Sequence, residues 1–180
     1  ALLNVSRMES GRIIVDPKPT SITELLKEIM DEIRIKMETK NQEIILSIHQ
    51  NLPPIDLDPK LVRNVYLNLI TNAMKYSPRG STIEIVISKD ENNLISQITD
   101  HGYGIPEGEH EEVFNKFFRA SNAMKIEPSG TGLGLYLCKA IIESSGGKIW
   151  FESDEKGTTF WFTIPLEGME PREGEVRIDS

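Results

Sequence analysis

The chain is short of cysteine, of positive charge and of long apolar runs, and each shortage closes off a class of protein. A single cysteine, Cys138, in 180 residues excludes an internal disulfide framework and suits a reducing compartment. A cytoplasmic setting is therefore expected. With 20 Lys+Arg against 28 Asp+Glu, the formal charge of -8 disfavours a broad nucleic-acid or anionic-membrane surface, and no nucleic-acid partner is expected. No apolar stretch approaches the roughly 18 residues that a membrane-spanning helix requires, and no signal peptide opens the chain. A membrane anchor elsewhere in a longer protein stays open. The three histidines, His49, His101 and His110, share no metal-ligand spacing. There is no internal repeat and no low-complexity segment.

What remains is enough for one domain with a sizeable core. ALLNVSRMES carries Leu2, Val5 and Met8 at helical spacing, so the text starts inside a pattern and points to a piece of a longer protein. RIIVDPKPT is a short β-like run closed by two prolines. Ser21 and Glu24 form a capping box for a helix through Lys40, with Leu25, Leu26, Ile29, Ile33 and Met37 on its buried face. Residues 41–50 read as a strand, and 51–54 as a turn. Asp58-Pro59 opens a second helix at its cap and first position. TIEIVIS and LISQITD alternate as antiparallel strands. From His101 to Gly130 the pattern breaks into a long loop, with one short helix expected around Glu111–Phe118. A helix over Thr131–Ser145 ends at Gly146-Gly147, and KIWFES with TTFWFTIP make a final hairpin. Residues 167–180 are acidic, with few apolar positions, and are expected to fray. The order predicts helices covering one face of a mixed sheet, a two-layer α/β sandwich.

The second helix carries two stripes. Val65, Tyr66, Leu69, Ile70 and Ala73 form the apolar one, while Asn64, Asn68, Asn72 and Lys75 fall at i, i+4, i+8 and i+11. A solvated face is the plain reading of the polar stripe. Asparagine is nevertheless a mediocre helix former whose side chain competes for backbone hydrogen bonds, so its repetition asks for a partner. Two glycine motifs bracket the long loop: Asp100-His-Gly102-Tyr-Gly104-Ile-Pro after a strand, and Gly130-Thr-Gly132-Leu-Gly134-Leu before a helix. Glycines admit close backbone approach, and a helix N-terminus attracts anions, so phosphate binding at Gly130–Gly134 is the natural hypothesis. Turn formation explains either motif alone equally well. GxxxxGK[ST] is absent, neither cluster completes GxGxxG after a first strand, and there is no HRD or DFG.

Taken in order and spacing, NLITNAMKYSP, DHGYGIP, VFNKFFRA, GTGLGLYLCKAI and GTTFWFTIP resemble the N, G1, F, G2 and G3 boxes. These mark the catalytic ATP-binding domain of bacterial sensor histidine kinases, in the superfamily shared with gyrase, the heat-shock chaperone and MutL. The resemblance covers residues 18–166. It implies the ATP-binding sandwich of that superfamily, a mainly antiparallel mixed sheet under three helices with a long ATP lid. Residues 1–12 resemble the end of a dimerisation-domain helix, which leaves 13–166 as the catalytic domain and 167–180 as a tail.

The resemblance also implies roles. Asp100 matches the aspartate that accepts from the adenine amino group; a plain turn carboxylate is the alternative for this box alone. Gly102 and Gly104 let the chain pass the base, and Ile105 packs on it. Asn72 matches the Mg²⁺ ligand, with Asn68 one turn earlier near metal and phosphates. Lys75 and Tyr76 match residues near the phosphates and the ribose or adenine edge. Arg119 matches an arginine used on the γ-phosphate, and Phe118 a lid-hinge position. Gly130, Thr131, Gly132, Leu133, Gly134 and Leu135 supply N–H groups to the phosphates, and Thr159 a contact near the adenine. Asn64 receives no specific role.

In the hydrolytic branches a glutamate base stands where this chain has Asn68, which cannot take a proton. The expected activity is therefore phosphoryl transfer to a histidine, then to a response-regulator aspartate. An ATP-hydrolysing conformational switch, or the nucleotide-binding module of a degenerate kinase, are the alternatives. None of the three histidines sits in the H-E-x-R/P context of a phosphoacceptor, so that residue is expected on an upstream dimerisation domain. A homodimer is implied for the full-length protein and a monomer for this piece. His101 stands where the G1 box commonly has asparagine.

Overall fold

The computed structural model describes residues 14–49 and 52–172. The expected dimerisation-helix remnant, residues 1–12, lies outside these, as does the end of the tail.

Helix α1 (Ile22–Lys40) starts where Ser21 accepts the Glu24 N–H on its hydroxyl at 3.3 Å, and stops where Asn41 turns left-handed. Its buried stripe is Ile22, Leu25, Leu26, Ile29 and Ile33. Helix α2 (Pro59–Tyr76) has proline at its start, and Asp58 Oδ1 accepts from the Lys60 and Leu61 N–H groups at 2.9 and 3.2 Å. Five strands make the main sheet: β2 (Glu43–Ile48), β4 (Thr82–Lys89), β5 (Asn93–Asp100), β6 (Ile149–Asp154) and β7 (Gly157–Pro165). Their order is β2-β4-β5-β7-β6, with only the β2–β4 pair parallel.

Period-two alternation points Ile83, Ile85, Ile87, Leu94, Ile98, Phe160, Phe162 and Ile164 into the core beneath α1, α2 and helix α4 (Gly134–Ser144). Tyr66 is wholly buried at the centre, edge-on to Phe162 at 5.0 Å between ring centroids. Its hydroxyl hydrogen-bonds Ser96 Oγ at 2.6 Å, which keeps two polar atoms satisfied where an orphan costs about 1–3 kcal/mol. Trp150 and Trp161 stack on the opposite, uncovered sheet face.

The two-layer sandwich is as expected, with four differences in detail. Ile55–Leu57, which follows the expected turn and carries no predicted element of its own, is a strand (β3). It pairs with β1 (Lys18–Thr20) in a separate antiparallel ribbon, so the proline-closed first run never joins the main sheet. The long loop holds two short helical pieces instead of one at 111–118: a 3₁₀ turn at Glu107–Glu112 and helix α3 (Ser121–Ile126). Helix α4 begins three residues later than Thr131, because Gly132 takes a left-handed φ of 68°. The start of the expected frayed tail is packed: Met169 is buried, its N–H donates to the Asp56 carbonyl at 2.7 Å, and Arg172 bridges Val15. None of the described helices is long and apolar enough to cross a membrane.

Candidate functional site

The two glycine motifs and the polar stripe of α2 meet at one cavity. The end of α2 reaches it under tight restraint. Lys40 Nζ, just past the buried part of α1, donates to the Met74 and Lys75 carbonyls at 2.7 and 3.1 Å. Gln42 Nε2 donates to the Met74, Ser77 and Pro78 carbonyls at 3.1, 3.3 and 3.1 Å. These donors satisfy helix-terminal carbonyls that Ser77, in extended conformation, leaves open. They hold Lys75 and Tyr76 at the cavity wall.

Of the residues singled out from the sequence, Asn68, Asn72, Lys75, Tyr76, Asp100, Gly104, Ile105, Phe118, Arg119, Gly130, Thr131, Gly132, Gly134 and Leu135 line the cavity. Three expected residues do not. Gly102 lies behind Asp100, to whose Oδ1 its N–H donates at 2.9 Å. Leu133 is buried in the core one residue before α4. Thr159 points from the uncovered face of the sheet, where its hydroxyl meets that of Thr99 at 3.1 Å. Its neighbour Thr158 occupies the cavity side. Strand alternation puts adjacent residues on opposite faces, so the expectation was off by one place.

Asp100 is the carboxylate of the site. It is almost fully buried, with its Oδ1 taking N–H groups from Gly102 and Thr158 at 2.9 and 3.3 Å, which leaves Oδ2 for a ligand. Burial pushes its carboxyl up to about 6, against the pull of those two N–H groups and of His101. Beside it Ile105 is pinned from both sides. Its N–H donates to Ser153 Oγ at 2.8 Å, and its carbonyl accepts from His110 Nε2 at 2.9 Å. Phe160, Val113 and Ile126 continue the apolar lining.

The lining also carries two cations. Lys75 and Arg119 both line the cavity, as does Gly134 at the start of α4. No side chain caps α4, so the first N–H groups of that helix are free to meet an anion. Arg119 donates through Nη1 to the Pro128 carbonyl at 2.9 Å and through Nη2 to the Glu127 carbonyl. The Ser129 hydroxyl and N–H hold the Glu127 carboxyl below the usual range, with Lys75 and Arg119 adding attraction. The loop is thus folded over the cavity by its own arginine. Asn122 in α3 ties it to the first glycine motif, donating to the Gly104 carbonyl at 2.8 Å. Asn122, Ala120, Ala123, Val113, Ile126, Thr158 and Phe160 are lining residues that sequence reasoning missed. The period-two alternation of TTFWFTIP could have found Thr158 and Phe160.

The cavity lining includes two amides of α2, Asn68 and Asn72, and one carboxylate, Asp100. Among the described residues no cluster of three His, Cys, Asp or Glu could hold a metal alone. Amide oxygens suit a hard cation that keeps waters and is held chiefly by a substrate's phosphates, as Mg²⁺ is. The arrangement fits an elongated ligand, with a planar polar head at Asp100 and a polyanionic tail at Lys75 and Arg119.

Comparison with known proteins agrees with that shape. The family described as "Histidine kinase-, DNA gyrase B-, and HSP90-like ATPase" matches residues 57–168. The adaptive-response sensory kinase SasA of a Nostoc species is 36% identical over 167 residues, which cover 92% of this chain and 41% of that protein. The sensor histidine kinase WalK of Bacillus subtilis is 36% identical over 173 residues, covering 92% of this chain and 28% of WalK. This chain therefore spans less than half of the curated relatives it matches. Among solved structures, the catalytic domain of the histidine kinase ThkA is similar at a TM-score of 0.73 and 27% identity, over 86% of this chain and 99% of that one.

Proposed function

The chain belongs to the family of histidine kinase-, DNA gyrase B- and HSP90-like ATPases, and from that premise we propose that it is the catalytic domain of a sensor histidine kinase. It binds ATP with Mg²⁺ and passes the γ-phosphoryl group to a histidine on a dimerisation domain elsewhere in the longer protein. A response-regulator aspartate then receives the group.

The observation that carries this reading is the amide of Asn68, lining the cavity where hydrolytic relatives need an acid. An amide cannot deprotonate water, whereas a neutral imidazole attacks without a strong base. Asp100 Oδ2 accepts from the adenine amino group while Ile105 and Phe160 pack on the ring. Thr158, not Thr159, steadies the carboxylate from the adenine side. Asn72 and Asn68 would hold the Mg²⁺ through their amide oxygens, and the ion would supply charge neutralisation for the phosphates. Lys75 and Arg119 offset the phosphate charge, and the N–H groups from Gly130 to Leu135 hold the tail. Arg119 gives one N–H of each terminal nitrogen to the Pro128 and Glu127 carbonyls, which leaves further donors on the guanidinium for the γ-phosphate. Positioning and electrostatics supply nearly all of phosphoryl-transfer catalysis, and these residues supply both. The same reading makes the longer protein a homodimer through its dimerisation domain, this domain monomeric alone, and the setting cytoplasmic.

With saturating ATP and Mg²⁺ the isolated chain is expected to release phosphate at a rate barely above background, and Asn68→Ala is expected to leave that rate low. Brisk turnover in a coupled phosphate assay would move the assignment to the hydrolytic switch.

A further inference from the structure

The side chain of Asn68 is held at one end only. Its Nδ2 donates to the backbone carbonyl of Asn64 at 3.0 Å and to Asn64 Oδ1 at 2.7 Å. A backbone carbonyl accepts and never donates, so the nitrogen end of the amide must face it, and Asn64 Oδ1 sets a second acceptor on the same atom. The oxygen end consequently turns toward the start of α4, where a Cβ built on Gly134 would stand 2.9 Å from Asn68 Oδ1. Asn68 and Gly134 both line the cavity, and Asn64 does not.

We propose that Asn64 is a positioning residue of the site: by engaging Nδ2 it fixes the Asn68 amide so that only an acceptor oxygen is presented to the cavity. The inference rests on the functional reading above. A side-chain amide that is free to rotate exchanges its ends by a half-turn, and its NH₂ end offers two donors to a cation that requires an oxygen. The Asn64 backbone carbonyl favours the oxygen-out orientation, and Asn64 Oδ1, the closer acceptor, strengthens that preference. Asn64, which looked like a solvated member of the stripe, acts through its neighbour.

The test is calorimetry of the non-hydrolysable imido analogue of ATP, with Mg²⁺ and with EDTA, on the wild type and two variants. Asn64→Leu is expected to shrink the Mg²⁺-dependent gain in affinity about 3- to 10-fold, the weight of one hydrogen bond, with affinity in EDTA unchanged. Asn64→Asp keeps an acceptor for Nδ2 and is expected to keep the gain. In the nucleotide-free proteins, the Asn68 side-chain NH₂ signals should exchange slowly with water in the wild type and in Asn64→Asp, and faster in Asn64→Leu. A leucine variant with wild-type Mg²⁺ gain, or an aspartate variant as poor as leucine, overturns the proposal and leaves the functional reading standing. A wild type that binds nucleotide equally well in EDTA overturns the metal reading and the proposal together.

Discussion

Replacing Asp100 with alanine is expected to weaken binding of adenine nucleotides by at least about 100-fold, the scale for losing a charge-assisted hydrogen bond in a desolvated pocket. The fold should survive, since Asp100 lies at the end of β5 and its loss touches only the Gly102 and Thr158 N–H groups. Calorimetry with ADP reads the affinity, and an unchanged value would refute the adenine assignment. The pH dependence follows from the same burial. The folded carboxyl titrates near 6 against an ordinary 3.8. A raised carboxylate pKa favours the fold while the proton is on. That contribution is complete below pH 3.8 and is lost as pH rises through 6. Ionisation at neutral pH therefore costs the nucleotide-free protein on the order of 3 kcal/mol. Asp100→Asn is expected to melt higher than the wild type at pH 7, with the difference closing toward pH 4. Nucleotide affinity of the wild type is expected to fall below about pH 6, where the acceptor is protonated. An affinity flat from pH 7.5 to 5 would count against Asp100 as the base contact.

Gly104→Ala carries the second large effect. Gly104 sits at φ 63°, and a Cβ there would stand 1.9 Å from the Asp154 carbonyl oxygen. The left-handed backbone alone costs a non-glycine residue about 1–3 kcal/mol, and the clash is with backbone, which cannot swing aside. The loop must move, and with it Ile105 and the Asn122 anchor on the Gly104 carbonyl. Thermal melting should show a clear loss, and calorimetry at a temperature where the variant is folded should show nucleotide binding at least tenfold weaker, or about 1.4 kcal/mol. An alanine variant with wild-type melting and affinity would mean that the β5–α3 connection is not held as described.

The large periodic elements were legible because their side chains carry the signal. Helix α2 begins at Asp58-Pro59 and shows its apolar stripe openly, and β4, β5 and β7 alternate over eight or nine residues. Local signals failed where pairing or packing decides. Three residues, Ile55–Leu57, are too few to show a period, and only the β1 partner makes them a strand. The lid helices have no local caps to announce them: neither Pro106 before the 3₁₀ turn nor Ala120 before α3 offers a capping side chain, and the Ser121 N–H is met instead by Glu109, twelve residues back. Met169 belongs to the core only because a loop brings it beside Asp56 and Asp58. At the site, the box residues came through their spacing, whereas Thr158 against Thr159 is a matter of register. The clamps made by Lys40, Gln42 and Asn122 were invisible, because each acts on a backbone carbonyl distant in sequence, and that of His110 because it acts on a carbonyl inside the irregular loop.

The central claim is that this cavity aims a γ-phosphoryl group at a histidine and not at water. The chain, ATP labelled at the γ position and Mg²⁺ should be mixed with a separately produced histidine-bearing helical domain from the same longer protein. Acid-labile, base-stable label appearing on that domain, and lost when Asn72 or Asp100 is replaced by alanine, is the result the account predicts. Label released only as free phosphate, with none on the helical domain, would contradict it.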